Sequence, residues 1–380
     1  MSDRLRVGVV CAYYLPRNNA PTVRLRYFVE HLAQRHDVHV LTADAGRPMA
    51  DIRITRWPSF AQQNQKSALH RMATDALFGL RVILHLCRHR YDVLVVSSPV
   101  FLASSAVTRF ARWRNMPVVL DVRDIYPEVF ASAGKLKPES ILYRWFDRMA
   151  DRMYRSSAAI VSVTEGLCES IQKRLGPDTD VHLIRNGFPG ELVGLRADKH
   201  ERFTAVFHGT IGAFQDVDGL LALAAALEPE QIDLVVIGKG SRDQALRDAT
   251  LPNLRYLGAL SFEETMQEVA AAHVGVSLRT ADPISRAAFP VKLFEYMAFG
   301  LPTITTPVSE AGSFLESRGM GRQFESDDIA TLTQTIVRWR DEPESYALAQ
   351  SAIGTHRDEM RREHQAERFG VLVEAAGRGS

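Results

Sequence analysis

Lys292 and Glu295 stand three residues apart inside Phe289-Pro290-Val291-Lys292-Leu293-Phe294-Glu295-Tyr296-Met297-Ala298-Phe299-Gly300-Leu301-Pro302, and theirs is the spacing that most clearly invites chemistry. Pro290 suits the first turn of a helix, where its missing N–H costs nothing. Gly300 suits the left-handed residue just past a helix end, and Pro302 keeps the helix from resuming. A helix bounded in this way sets Lys292 beside its unpaired N-terminal N–H groups and Glu295 one turn further in. Such an end attracts an anion, phosphate above all. The carboxylate beyond it can accept hydrogen bonds from the vicinal hydroxyls of a sugar.

Other chemistry-bearing residues stand where strands end. Gly209-Thr210-Ile211-Gly212 follows an apolar run at Thr204–His208, and its glycines let backbone approach a bound group closely. Gly238-Lys239-Gly240 follows Asp233–Ile237 and has the outline of a dinucleotide fingerprint. Its third glycine position holds Asp243, which would repel a pyrophosphate, so NAD binding is rejected. Arg123 and Asp124 close the run that ends at Val122, in Asp121-Val122-Arg123-Asp124-Ile125-Tyr126-Pro127-Glu128. Cys11, Cys87 and Cys168 are scattered without the pairing that zinc or a redox motif needs. No metal and no cofactor is expected.

These positions need a scaffold, and the hydrophobic pattern describes one. Short Val/Ile/Leu runs alternate with helical segments: Arg6–Cys11, Val38–Thr42, Ile52–Thr55, Val93–Ser97, Pro117–Asp121, Ala159–Val163 and Val181–Ile184 in the first half, then Thr204–His208, Asp233–Ile237, Leu254–Leu257, Val274–Leu278 and Thr303–Thr305. Helices are expected between them, among others at Thr22–Arg35, Ala103–Arg114 and Glu139–Arg155. Continuous apolar strands with intervening helices mean parallel sheets covered on both faces. A chain of 380 residues exceeds one ordinary core. The expectation is an α/β protein of two doubly wound, Rossmann-like domains facing each other across a cleft: residues 1–186, a polar linker at 187–202, residues 203–344, and a C-terminal helical segment at 345–380. In such sheets ligands sit beyond the carboxyl ends of the strands.

Composition narrows the function classes. Hydrophobic content of 46% and charged content of 24% are those of a globular protein. A formal net charge of +1 argues against bulk nucleic-acid binding. The longest early apolar run, Val7 to Leu15, is too short to span a bilayer. Two segments mix cations with large apolar residues: 71–90, with Leu80, Leu84, Arg81 and Arg88, and 137–155, with Ile141, Trp145, Arg144 and Arg148. Basic amphipathic helices of this kind can lie on anionic membranes.

The 289–302 stretch resembles the C-terminal-domain motif of the retaining GT-B glycosyltransferases of family four. It is most similar to the bacterial polysaccharide and O-antigen branch, which shows Pro-Ser-Lys-Leu-Phe-Glu-Tyr-Met-Ala-x-Gly-x-Pro-Val-Ile; within the core of that motif only Val291 departs. Residues 121–128 resemble the branch's Leu-Arg-Asp-Leu-Trp-Pro motif, and Ser97-Ser98-Pro99 its Thr-Ser-Pro turn. The resemblance implies GT-B architecture, a C-terminal helix crossing back to the first domain, and sugar transfer, hexosyl or N-acetylhexosaminyl, from a UDP- or GDP-sugar to a glycan or lipid-diphosphate acceptor. It implies a cytoplasmic protein at the inner face of the cell membrane.

Residue by residue, the resemblance implies that Glu295 binds the ribose and Lys292 the diphosphate. Gly209, Thr210, Gly212, Gly238, Lys239, Gly258, Ala288 and Phe289 then line the donor. Family members often place an Arg and a Lys in the loop that here holds Thr210 and Gln215, so positive charge is expected from Lys292 and Arg286 instead. The first glutamate of the family's usual pair would fall at Ala287 and is absent. Asp124 becomes the candidate to contact the acceptor hydroxyl, with Arg123, Asn19, Ala20 and Arg24 on the acceptor side. Two other readings stay open: a nucleotide-sugar 2-epimerase of the same fold, and a non-catalytic scaffold subunit.

Overall fold

The computed structural model describes residues 4–15, 20–43, 52–57, 68–98, 100–132 and 136–379. They form two compact units, residues 1–186 together with 363–380, and residues 187–362.

The first unit is built on a seven-stranded parallel sheet. Its strands are β1 (Arg6–Cys11), β2 (Asp37–Thr42), β3 (Arg53–Arg56), β4 (Val93–Ser97), β5 (Val118–Val122), β6 (Ala159–Ser162) and β7 (Val181–Leu183), in the order β3-β2-β1-β4-β5-β6-β7. Helices α1 (Ala20–Ala33), α2 (Ala68–Arg88), α3 (Phe101–Trp113), α4 (Glu128–Ser132), α5 (Ile141–Arg155) and α6 (Glu165–Leu175) connect them. Alternate residues of a strand point to opposite faces. Val7, Val9, Val93 and Val95 therefore join one core layer with Phe28 of α1, while Val10, Leu94 and Val96 join the other with Phe78 of α2 and Val107 of α3. Both faces are covered, which is why these strands are apolar without a break.

The second unit repeats the plan with six parallel strands: β8 (Thr204–His208), β9 (Asp233–Ile237), β10 (Leu254–Gly258), β11 (Val274–Leu278), β12 (Thr303–Thr306) and β13 (Gly321–Gln323), ordered β10-β9-β8-β11-β12-β13. Its helices are α7 (Val217–Leu227), α8 (Gln244–Asp248), α9 (Phe262–Ala271), α10 (Pro283–Ala287), α11 (Val291–Ala298), α12 (Glu310–Ser317), α13 (Ile329–Asp341) and α14 (Pro343–His356). Strand order reverses direction between β8 and β11. At such a switch point the loops leaving the two neighbouring strands run to opposite sides of the sheet and open a crevice at their carboxyl ends.

Three sequence expectations change. The segment 345–380 is not one helix: α14 ends at His356, a 3₁₀ turn occupies Asp358–Met360, and α15 (Arg362–Arg378) begins afresh. Only α15 lies in the first unit's core, where Phe369 stacks on Phe28 with ring centroids 4.0 Å apart. The supposed linker 187–202 belongs to the second unit, because Phe188 and Leu192 are buried in its core around a 3₁₀ turn at Gly190–Gly194 whose short period hides from a helical count. Pro290 flanks α11 rather than entering its first turn. Among the described residues no helix is long and apolar enough to cross a membrane.

Candidate active site

At the switch point of the second sheet, the loops after β8, β9 and β10 are stitched backbone to backbone. Gly209 N–H donates to Ile237 O, Ile211 N–H to Lys239 O, and Gly238 N–H to Gly258 O. Gly238 has φ +138°, and a Cβ there would lie 1.8 Å from the Gly209 carbonyl oxygen. The glycine is thus required by one loop pressing on another. Gly209, at φ +121°, faces the other way: a Cβ on it would sit 3.5 Å from Lys292 Cε. Lys292 therefore lies along bare backbone at the end of β8. Thr210 and Lys239 are exposed, while Gly212 and Gly258 are half-buried.

α11 delivers Lys292 as its sequence dictates. Leu293, Phe294, Met297 and Ala298 are buried and fasten the helix to the core. Gly300 takes φ +69° just past its end. The Lys292 ammonium stands 3.6 Å from the centroid of the Phe207 ring and donates to Gln215 Oε1 at 3.4 Å. Burial and, next, the Arg279 guanidinium hold its pKa well below the ordinary lysine range, against the opposing pull of Glu295. An ammonium in that situation gains by meeting an anion.

Arg279 is the residue that sequence reasoning missed. It is the first residue after β11, and its backbone bridges that of Gln215. Its Nε is buried with no hydrogen-bond partner among the described residues, and burial lowers its pKa. The available signal was an arginine directly following a buried strand, Val274–Leu278. Arg286, the expected second cation, is engaged elsewhere: its Nη1 and Nη2 grip the Glu325 carboxylate at 3.2 and 3.0 Å, and Nη1 also donates to Val308 O. The Ala288 N–H, expected to face a ligand, is spent on Ser285 O. The Phe289 ring is a core residue stacked on Phe294.

Glu295 is buried one turn along α11, 3.3 Å from His208 Nε2. Burial and then Lys292 push the imidazole down to about 3, so at neutral pH this is an uncharged ring beside a carboxyl group and not an ion pair. Burial likewise raises the Glu295 pKa, while Arg362 and Lys292 oppose the rise. Arg362 itself is anchored by donating from Nε to Gly187 O. A carboxyl group so placed has every reason to accept hydroxyl donors.

In the first unit the expected acceptor-side residues separate into two kinds. Arg24 is buried at 2% exposure: its Nε donates to Asp121 Oδ1 at 3.1 Å and its Nη1 to Arg185 O. Ser97 Oγ donates to the other Asp121 oxygen. Arg24 thus ties β5 to α1, while its Nη2 is buried with no hydrogen-bond partner among the described residues. Arg123 and Asp124, next along the chain, are half-buried and exposed respectively. The Arg123 N–H donates to Ser98 Oγ, and its Nη1 is buried without a hydrogen-bond partner among the described residues. Asp124 keeps an open face to solvent, yet neighbouring protein desolvates it and raises its pKa against the lowering effect of Arg123. Asn19 lies outside the described residues; Ala20 begins α1, its side chain likewise outside them. Among the described residues no cluster of His, Cys, Asp and Glu could hold a metal ion.

Residues 19–187 match the glycosyl transferase 4-like domain, and residues 202–342 match the domain of glycosyl transferases group 1. The chain is 23% identical over 235 residues to a probable glycosyltransferase, WbjE, of Pseudomonas aeruginosa, covering 57% of this chain and 58% of that protein. It is 23% identical over 200 residues to a putative teichuronic acid biosynthesis glycosyltransferase, TuaH, of Bacillus subtilis, covering 50% of each. The chain thus spans little more than half the length of the curated relatives it matches. Among solved structures it resembles WaaG, a glycosyltransferase involved in lipopolysaccharide biosynthesis, with TM-score 0.68 at 16% identity over 97% of this chain and 99% of that one. It also resembles Anabaena HepE in complex with UDP, with TM-score 0.71 at 14% identity over 97% and 100% of the two chains. Two parallel sheets, each doubly wound, and two matched domains lead to one conclusion: the chain has the GT-B fold and carries both a glycosyl transferase 4-like domain and a domain of glycosyl transferases group 1.

Proposed function

We propose that this protein is a retaining glycosyltransferase of family four that moves a sugar from a nucleotide-sugar to a glycan or lipid-diphosphate acceptor in bacterial polysaccharide assembly. The observation that carries the reading is Lys292, laid along Gly209 at the switch point of the second sheet with a buried carboxyl group, Glu295, one turn beyond it. In this reading Lys292 neutralises the leaving diphosphate and Glu295 accepts the ribose hydroxyls. Charge that develops on the departing oxygen is met by groups already in place, the form of stabilisation that accelerates such transfers most. The departing phosphate takes the acceptor proton on the face where it leaves. Asp124 orients the acceptor hydroxyl. UDP and UDP-glucose occupy structural relatives with the same fold, which favours a uridine nucleotide.

The site of action in this reading is the cytoplasmic face of the membrane. α2 exposes Leu77, Leu80 and Leu84, and α5 exposes Ile141, Leu142 and Trp145, each among arginines. Sedimentation with anionic vesicles tests that part.

The deciding experiment incubates the protein with UDP- and GDP-sugars, with and without candidate acceptors, and follows nucleotide release and anomeric configuration by NMR. Transfer with retention supports the proposal. Conversion of donor to its epimer without acceptor points to a 2-epimerase, and the absence of any nucleotide binding points to a scaffold subunit. Asp124→Asn is expected to lower turnover by about a hundredfold or more; near-normal transfer would make Asp124 structural.

A further inference from the structure

The loop after β8 carries no basic residue from Gly209 through Asp216, although it abuts the presumed diphosphate position. One ammonium does not balance the charge of a diphosphate. The balancing charge stands on the neighbouring strand. β8 and β11 flank the switch point, and the residue leaving β11 is Arg279. Its backbone faces Gln215 in an antiparallel bridge, and Gln215 is the side chain that holds Lys292. Phe214 O and Leu278 O accept from Thr280 N–H and Asp216 N–H, so the two loops form one rigid unit. Its main-chain N–H is fixed on Thr306 O. The nearby carboxylate, Asp282, is already occupied by the amides of Ile284 and Ser285 and the hydroxyls of Thr280 and Ser285. Arg279 disfavours the charge on Lys292, while Asp282 favours that on Arg279, and neither cation has an ion pair among the described residues. Folding has no use for such a pair; a bound dianion has.

Building on the donor reading above, we propose that Arg279 is the second cation for the diphosphate of the nucleotide-sugar, in the place that sequence spacing assigns to Arg286. The guanidinium fork suits two phosphate oxygens at once, while Lys292 acts as a point charge.

The test measures binding of UDP, GDP, their nucleosides and inorganic pyrophosphate by calorimetry to wild type, Arg279→Gln, Arg279→Lys and Arg286→Gln, with melting temperatures of the unliganded proteins. Arg279→Gln is expected to weaken diphosphate and pyrophosphate binding by about ten- to a hundredfold, with nucleoside affinity retained. Arg279→Lys recovers part of the loss, and Arg286→Gln loses less. Unliganded Arg279→Gln melts no lower than wild type, since repulsion with Lys292 is relieved, whereas a purely structural arginine would melt lower on removal. Diphosphate affinity within twofold of wild type in Arg279→Gln, or a larger loss in Arg286→Gln, overturns the assignment to Arg279 while leaving the donor reading intact. Wild type that binds none of the nucleotides overturns both.

Discussion

At the residue scale, the proposed site holds cations that lack an ion-pair partner among the described residues. Lys292 has a ring below it and an amide oxygen beside it, and in the proposed reading an incoming phosphate would favour its charged form. Lys292→Ala is expected to cut turnover by about 10²–10³-fold, as removal of one charge stabiliser does. Steady-state rates with saturating donor check this, and wild-type turnover would remove Lys292 from the reaction. The contrast with Arg24 is instructive. Arg24 lies within α1, where its Nε and Nη1 donate to Asp121 and Arg185 O and burial lowers its pKa to about 10, while its Nη2 is buried with no hydrogen-bond partner among the described residues.

At the scale of elements, loops are positioned by close backbone contact and helices by caps. Gly238→Ala would drive a Cβ into the Gly209 carbonyl at a backbone angle that only glycine holds easily. The expected cost is about 3 kcal/mol, read by urea denaturation, with loss of nucleotide binding because the Gly209 loop shifts. A cap supplies a pH signature. Asp75 of α2 accepts the Leu102 and Ala103 N–H groups at the start of α3. Burial nonetheless raises its pKa from 3.8 to about 6. Between those values the folded chain binds more protons than the unfolded one, so this group's contribution to stability falls as pH rises from 4 to 6. The melting temperature of wild type relative to Asp75→Asn should therefore decline across that window, and a flat difference would show that the shift is absent. Ser261 shows the plainer case, a capping box with Glu264 that a reader finds directly in the letters.

At the scale of the molecule, the chain's last helix completes the core of its first unit. Phe369 is fully buried against Phe28, Ala366 and Val373 lie in the same core, and His36 meets Glu374 at 3.1 Å. Phe369→Ala should destabilise the protein by about 3–5 kcal/mol, as deletion of a buried ring does. Calorimetric melting would show it, and an unchanged melting profile would mean that α15 is dispensable to that core. Much of this plan was legible beforehand. Valine-rich strands such as Val93–Ser97 and Asp233–Ile237 carry their own assignment, since a parallel sheet buried on both faces needs unbroken apolar runs. α11 was legible because Pro290, Gly300 and Pro302 mark its limits and Leu293 and Met297 its buried face.

Three-dimensional neighbours were another matter. Local rules reach a few residues along the chain, and they chose Arg286 beside Lys292 because it is near in sequence. Strand order sets Arg279 beside the loop after β8, because β8 and β11 lie side by side although Gly209 and Arg279 are far apart in the chain. Periodicity likewise ran α14 and α15 together, and only packing against different cores parted them at Asp358–Met360. The letters alone determined which segments are strands and helices and that a helix begins at residue 291, because those follow from side-chain period and backbone freedom. Which partner each cation finds, as Arg24 finds Asp121 and Arg286 finds Glu325, was decided by tertiary structure, since charge acts through distance in space and not along the sequence.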